Sequence, residues 1–410
     1  MVVRSPPKPQ MPRVVVVLPT STYRAADFVN AAESLGIDLV VASEQPPPFD
    51  MGDRYLQIDC TDPEAAAETI ADLGETVAVD GVVAADDQGV MVAAHANSIL
   101  GLAGNPPDAA AATRNKLTMR ARLAAAEIDQ PVFAGLKPDD DIEDVAARIG
   151  FPLVIKPLDR SASQGVIRVD DPERLAPTAE RIRRIVGKDA TLVMESFVPG
   201  EEIAIEGLVS VGELKVLAVF DKPDTPSGPY FPETLFITPS RLPAPMLGET
   251  ERVAAATVRA LGLTSGPVHI ELKVEHGRAR VIEVAARSIG GLCSRSLSFG
   301  LMGTTLESLI LRNAIGVEPK SLRREPVASG VLMIPTPESG ILAGVAGEEE
   351  TRALEGITGI DLTIRPGGEV VAPPEGERYL GFVYARADSP EEVEAALRKA
   401  MANLQVQLEG

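Results

Sequence analysis

The sequence predicts an α/β domain followed by mixed α+β sequence, and three observations carry that class. Short apolar runs alternate with helix-length amphipathic segments up to about residue 105. The middle of the chain is mostly strand-like and ends in a hairpin that carries two acids, "HIELKVEHGRARVIEVAAR", 269–287. The last stretch, 321–410, mixes short strands, Gly/Pro turns and a terminal helix, and reads as a separate α+β lobe.

Taken in order, residues 1–10 ("MVVRSPPKPQ") have no apolar core of a signal peptide and read as a disordered leader, with Met11 as a candidate natural start. Val14 to Leu18 is a buried parallel strand, followed by the polar turn "PTSTYR" and a helix through Leu35, which Gly36 stops. Strands "DLVVAS" and "VDGVVAAD" and a helix around "GVMVAAHANSILG" complete the first domain, 11–105, which has no GxGxxG loop. Ala-rich helical sequence opens the segment 106–320. Within it, the stretch from Gly150 to about Val211 alternates strands with one helix.

The net charge of −20 argues against a nucleic-acid surface, since phosphate binding needs a basic stripe and none is apparent. With three His, two distant Cys (Cys60, Cys293), no CxxC and no HExxH, neither a zinc site nor a disulfide framework is expected; a reducing cytoplasm is. The run "VVVVLP" is too short to span a bilayer.

Glu271 and Glu283 lie equally far from Gly277. A three-residue loop of His276, Gly277 and Arg278 would therefore oppose them on one sheet face, with Ile270, Leu272, Ile282 and Val284 on the other. Two such charges repel by roughly 3 kcal/mol at an effective dielectric near 20, and a divalent cation is the simplest offset. In "GFPLVIKPLDRSASQGVIRV" an apolar strand delivers Lys156, and the loop from Ser161 to Gly165 has amides able to cradle phosphate. A snorkelling lysine before an ordinary loop reads equally well. "TLVMESFVPGEEIAIEGLV" reads as strand, turn, strand: either an edge offering backbone groups to a base, or a hairpin with solvated acids. Lys116 reads as a solvated helix residue. Arg287 reads as a counter-charge to the acids or as a fork for a phosphoryl group.

The order of these stretches resembles the ATP-grasp superfamily of carboxylate–amine ligases: Lys116, Lys156 with its small-residue loop, "MESFVPGEE", Glu271, then "IEVAAR". With "YFPETLFITPSRLPAP" the chain is most similar to the L-amino-acid ligases of the bacilysin synthetase type, with carnosine synthase as a cousin. The resemblance implies an ATP-grasp fold with a Rossmann-like N-terminal domain and a C-terminal α+β lobe. It implies that Lys116 and Lys156 contact ATP phosphates, that Ser163 and Gly165 belong to a mobile lid subdomain, about 142–206, over them, and that Glu195 with the backbone of Ser196, Phe197 and Val198 meets adenine. Glu202 would meet the ribose, and Glu271 and Glu283 would bind Mg²⁺ or Mn²⁺. Glu233 would hold the first amino acid's ammonium, and Arg287, with Gly290 and Gly291 beside it, would face the transferring phosphoryl group.

Two departures stand out. Many relatives have Asn where Ala285 stands, and some have His near Phe236. Tyr230, Phe231 and Phe236 are expected to line an apolar pocket near Glu233, and His269 shares the face of Glu271. The expected activity is peptide-bond formation through an acyl phosphate by a cytoplasmic homodimer acting on small-molecule amino acids or peptides, with no nucleic-acid or membrane partner. The alternatives are another ATP-grasp branch, biotin carboxylase-like or purine-biosynthetic, and a non-catalytic ATP-binding module.

Overall fold

The computed structural model describes residues 11–20, 22–46, 51–224 and 226–409. The expected leader over 1–10 lies outside them. β1 (Arg13–Val17), β2 (Asp38–Ser43), β3 (Tyr55–Gln57) and β4 (Gly81–Ala84) form a parallel sheet in the order β3-β2-β1-β4. The Val run of β1 is buried on both faces, as a parallel strand covered by helices on each side requires. Thr22–Arg24 and Asp86–Gln88 follow the carboxyl ends of β1 and β4, where open α/β sheets place ligands.

β5 (Phe133–Leu136), β6 (Leu153–Pro157), β7 (Ile167–Val169) and β8 (Leu192–Ser196) make a small antiparallel sheet in the order β5-β8-β6-β7. Helices Ile142–Ile149 and Leu175–Val186 cover it through a separate apolar cluster. β8 stays in this sheet, whereas β9 (Glu201–Ser210) enters the large one. The stretch around Pro199-Gly200 is therefore a crossing between two sheets and not a hairpin.

The large sheet continues through β10 (Glu213–Lys222), β11 (Leu235–Thr238), β12 (Ser265–Glu275), β13 (Arg278–Ala285) and β14 (Ala328–Met333). Then come β15 (Gly340–Ala346), β16 (Ile357–Leu362), β17 (Glu369–Val370), β18 (Gly381–Ala387) and β19 (Gln405–Leu408). Eight of these strands run antiparallel in the order β13-β12-β9-β10-β11-β14-β18-β16. Because β14 pairs with β11, the C-terminal segment shares its backbone ladder with the middle of the chain, and the expectation of a separate lobe is corrected on that point. The terminal helix also ends earlier than expected, at Asn403, and β19 pairs with β15.

Helix Ala244–Leu261 buries Val253, Val258 and Leu261 against Ile203, Ile205, Ile270 and Leu272 on one face of the large sheet. Phe220 and Phe236 on the other side join the core of the N-terminal domain. Among the described residues no helix is long and apolar enough to cross a membrane.

Candidate active site

Glu271 and Glu283 are direct partners across β12 and β13, though by a different route from the expected loop. Glu275 pairs with Arg278, so the turn holds only His276 and Gly277, both with positive φ (49° and 78°), as a tight type I′ turn needs. That register alone would oppose Glu271 to Ile282. A bulge between Glu271 and Leu272 on the ladder shifts it by one, and Ile282 then lines the same cavity as Glu283 instead of the apolar face. Arg120, fully buried on helix Lys116–Ala125, donates to the carbonyls of Val281 (2.9 Å) and Ile282 (2.6 Å) and so holds the bulge.

Arg120 also makes a two-pronged bond to Glu195, Nε to Oε1 at 2.8 Å and Nη2 to Oε2 at 3.1 Å. Lys156 reaches the same carboxylate at 2.6 Å. Burial alone would raise the Glu195 pKa, but Arg120 and Lys156 outweigh it and hold it at about 2. Its side chain lines the apolar cavity while bonded to those two cations. What Glu195 does is hold Lys156 at the cavity wall. Lys116 is no solvated helix residue. It starts the helix that Asn115 caps, is buried, donates to the Arg160 carbonyl at 2.7 Å and lies 3.3 Å from Glu283.

Lys273, Glu202 and Lys222 stand side by side on β12, β9 and β10. Glu202 lies 2.9 Å from Lys273 and bonds Lys222 through its other oxygen. Lys222 also meets Glu233 at 2.9 Å and Glu271 at 3.6 Å. Burial opposes charge on Glu271, yet Lys222 and His269 keep its pKa well below the carboxylate norm; burial raises that of Glu233. The His269 Nε2 lies 3.5 Å from Glu271 and its Nδ1 3.2 Å from the buried Glu206. Burial opposes its protonation, but those two acids lift it to about 9, so at neutral pH it is an imidazolium.

Arg287 lies against Asp87, Nε and Nη2 both 2.9 Å from Oδ2, and donates to the Ser288 carbonyl at 2.9 Å. Asp87 is held at about 2, its burial outweighed by Arg287 and Arg114. Arg24 and Glu307 form a buried pair at 2.9 Å, and Arg24 bonds Ser288 Oγ at 2.7 Å, which fixes the loop after Arg287. Gly291 has φ +63°, and a Cβ there would lie 2.6 Å from the Phe382 ring.

Two cavities open on this wall. One is apolar, lined by Val154, Phe197, Val198, Phe231, Leu235 and Ile282, with Lys156, Ser196 and Glu202. The other is polar, lined by Tyr23, Asp86, His269, Ala285, Arg287 and Tyr379, with Gly290 and Gly291. They meet at Ser163, Glu233, Glu271 and Glu283. Gly165 lines neither; its amide donates to the Pro374 carbonyl at 2.8 Å. The expected aromatic pocket is divided: Phe231 faces the apolar cavity, Phe236 the polar one, and Tyr230 bonds Arg181.

Among the described residues no group of three or more His, Cys, Asp or Glu is arranged to hold a metal ion. Glu271 and Glu283 still fit Mg²⁺ or Mn²⁺, because Mg²⁺ commonly takes one or two carboxylates and completes its shell with water and substrate phosphate.

Sequence reasoning missed Arg24, Asp87, Arg120, Lys222 and Tyr379. Lys222 carried a readable signal: "VLAVFDKP" delivers a lysine at the end of an apolar strand before Pro, as "PLVIKP" does for Lys156. Arg120, on a polar-looking helix, and Arg24, just before one, carried none, since an arginine's burial shows only after packing.

Three family models match the chain: an ATP-grasp N-terminal domain over 29–104, an ATP-grasp domain over 149–296, and an L-amino acid ligase C-terminal domain 2 over 332–409. The chain is 23% identical to an L-arginine-specific L-amino acid ligase of Bacillus subtilis, covering 84% of each. It is 29% identical to an alanine–anticapsin ligase of Bacillus subtilis over 55% of this chain, spanning about half (52%) of that relative's length. The crystal structure of an L-amino acid ligase from Bacillus licheniformis superposes with a TM-score of 0.80 at 26% identity, covering 97% of this chain and 99% of the other.

Proposed function

The chain belongs to the ATP-grasp ligases, on their L-amino acid ligase branch, and from that premise we propose that it joins the carboxylate of one amino acid to the amine of another amino acid or peptide, converting ATP to ADP and phosphate. The observation that carries the reading is the position of Glu271 and Glu283: opposed on one sheet face, in the wall shared by an apolar cavity and a polar cavity that holds Arg287.

In this reading the nucleotide lies in the apolar cavity. The amides of Ser196 and Phe197 already donate to Val132 and Pro152, so adenine is read by the other backbone groups of 196–198. Glu202 serves the ribose. Lys156 and Lys116 supply positive charge at the phosphates, with Ser163 of the lid loop over them. Mg²⁺ or Mn²⁺ at Glu271 and Glu283 neutralises phosphate charge when bound. Glu233 holds the ammonium of the first amino acid, which places its carboxylate toward Arg287.

The carboxylate oxygen attacks the γ-phosphorus, the bond to ADP breaks, and an acyl phosphate forms. A free amine then attacks the acyl carbon, phosphate leaves, and the amine's extra proton passes to solvent or a neighbouring base. Arg287 stabilises charge on the transferring phosphoryl group and on the tetrahedral oxyanion, with the loop at Gly290 and Gly291 beside it. Asp87 keeps that guanidinium in place. His269, held between Glu206 and Glu271, orients the Glu271 carboxylate. The two free cysteines are consistent with the cytoplasm, and a homodimer is proposed from the resemblance alone.

The test is release of ADP and phosphate with pairs of amino acids, with the products identified by mass spectrometry. A dipeptide supports the reading. Turnover only with bicarbonate or a purine intermediate moves the chain to another ATP-grasp branch, and ATP binding without turnover makes it a binding module.

A further inference from the structure

One arginine of the small-sheet subdomain holds both flanks of the proposed amino-acid pocket. Arg181, on helix Leu175–Val186, lines neither cavity. Its Nε and Nη2 donate to the two carboxylate oxygens of Glu375 at 2.7 and 3.0 Å, and its Nη1 donates to Tyr230 Oη at 2.5 Å. Tyr230 lies three residues before Glu233, and Glu375 four before Tyr379. These segments converge again: Tyr379 Oη donates to Glu233 Oε2 at 2.8 Å, on the wall of the polar cavity.

The same subdomain grips both segments elsewhere. The Arg168 amide donates to the Pro229 carbonyl at 2.8 Å and its Nη1 to that of Ser227 at 2.6 Å. The Gly165 amide donates to the Pro374 carbonyl, and Gln164 Nε2 to the Glu375 carbonyl, each at 2.8 Å. The segment at Glu375 is a close-packed turn. The Gly376 amide closes a turn on Ala372 O at 3.0 Å, and a Cβ on Gly376 would lie 2.1 Å from Val371 O. The Arg181–Glu375 pair is itself about two-fifths exposed (36% and 42%), so it adds little to overall stability and can be removed without unfolding the chain.

We propose that Arg181 is a positioning residue through which closure of the lid over ATP completes the amino-acid pocket at Glu233. The amino acid then binds productively to the nucleotide-loaded, closed form, which also keeps water from the activated carboxylate. This rests on the ligase reading and adds the order in which the site is assembled. Coupling of this kind is reciprocal: ATP tightens the amino acid as much as the amino acid tightens ATP.

The experiment uses the full chain, with Arg181→Met, Glu375→Gln, and the double variant Arg181→Glu/Glu375→Arg, which restores the pair with its charges exchanged. Hydrogen exchange is followed with Mg²⁺ and an ATP analogue whose β–γ bridge is nitrogen. The wild type should protect both 161–166 and 372–379, and Arg181→Met only the first. In turnover, both single variants should raise the amino-acid KM about tenfold, within the usual range of coupling, while ATP affinity measured without amino acid moves less than about twofold. The double variant should recover most of the loss. Unchanged amino-acid KM in both single variants, a tenfold loss of ATP affinity without amino acid, or wild-type protection of 372–379 in Arg181→Met overturns the proposal. A wild type that releases no ADP with any amino acid refutes the ligase reading instead, and the exchange pattern then judges the lid connection by itself.

Discussion

Replacing Glu195 by Gln should destabilise the ligand-free protein by about 3 kcal/mol at neutral pH. Glu195 is 1% exposed and neutralises both Arg120 and Lys156. Its pKa falls from 4.5 to about 2, which at 1.36 kcal/mol per unit is roughly 3 kcal/mol of native-state preference for the carboxylate. Removing one partner of a buried pair independently costs roughly 3–5 kcal/mol, because the cations left behind have lost their solvent as well as their counter-charge. The sign follows from the lowered pKa. The stabilisation is present above pH 4.5 and is lost as pH falls through about 2, so the gap between wild type and variant should be full at pH 7 and close across that window. Urea unfolding followed by circular dichroism measures it, since the chain has no Trp to report by fluorescence. A variant within about 1 kcal/mol of wild type at pH 7, or a gap that persists at pH 2, refutes the account of Glu195 as the anchor of Lys156 and Arg120.

Glu271→Gln should lower ADP formation on the order of 10²-fold or more, with the analogue still binding; little change in rate points to a binding module. Arg287→Met should cost on the order of 10²–10³ in kcat with ATP affinity nearly unchanged, as measured by coupled ADP release. Gly291→Ala meets both a positive φ of 63° and the Phe382 ring, so it should lower stability by about 1–3 kcal/mol in thermal unfolding. Chain assembly shows in the particle mass: analytical ultracentrifugation should give twice the 43.2 kDa of one chain.

The acid pair illustrates how far pattern carries and where it stops. Placing Glu271 opposite Glu283 needed only strand periodicity and a turn at Gly277, but the actual turn is one residue shorter and a bulge restores the pairing. Nothing local specifies that bulge. It is held by Arg120, from a helix about 160 residues earlier in the chain. The stretch around Glu195 reads as an edge or a hairpin with solvated acids, and a guanidinium from that same helix makes Glu195 a buried anchor.

Strand and helix periods and turn residues are local properties, and they reached an α/β domain with an acidic hairpin; the fold family and the chemistry came from the resemblance carried by the ordered stretches around Lys156, Glu271, Glu283 and Arg287. Which charges cancel is a different matter. Lys222 among three glutamates, Asp87 behind Arg287, and Arg181 across to Glu375 depend on segments brought together from far along the chain. Electrostatic energy falls with distance in space and takes no account of separation in sequence, so those partners became visible only once the sheets had been stacked.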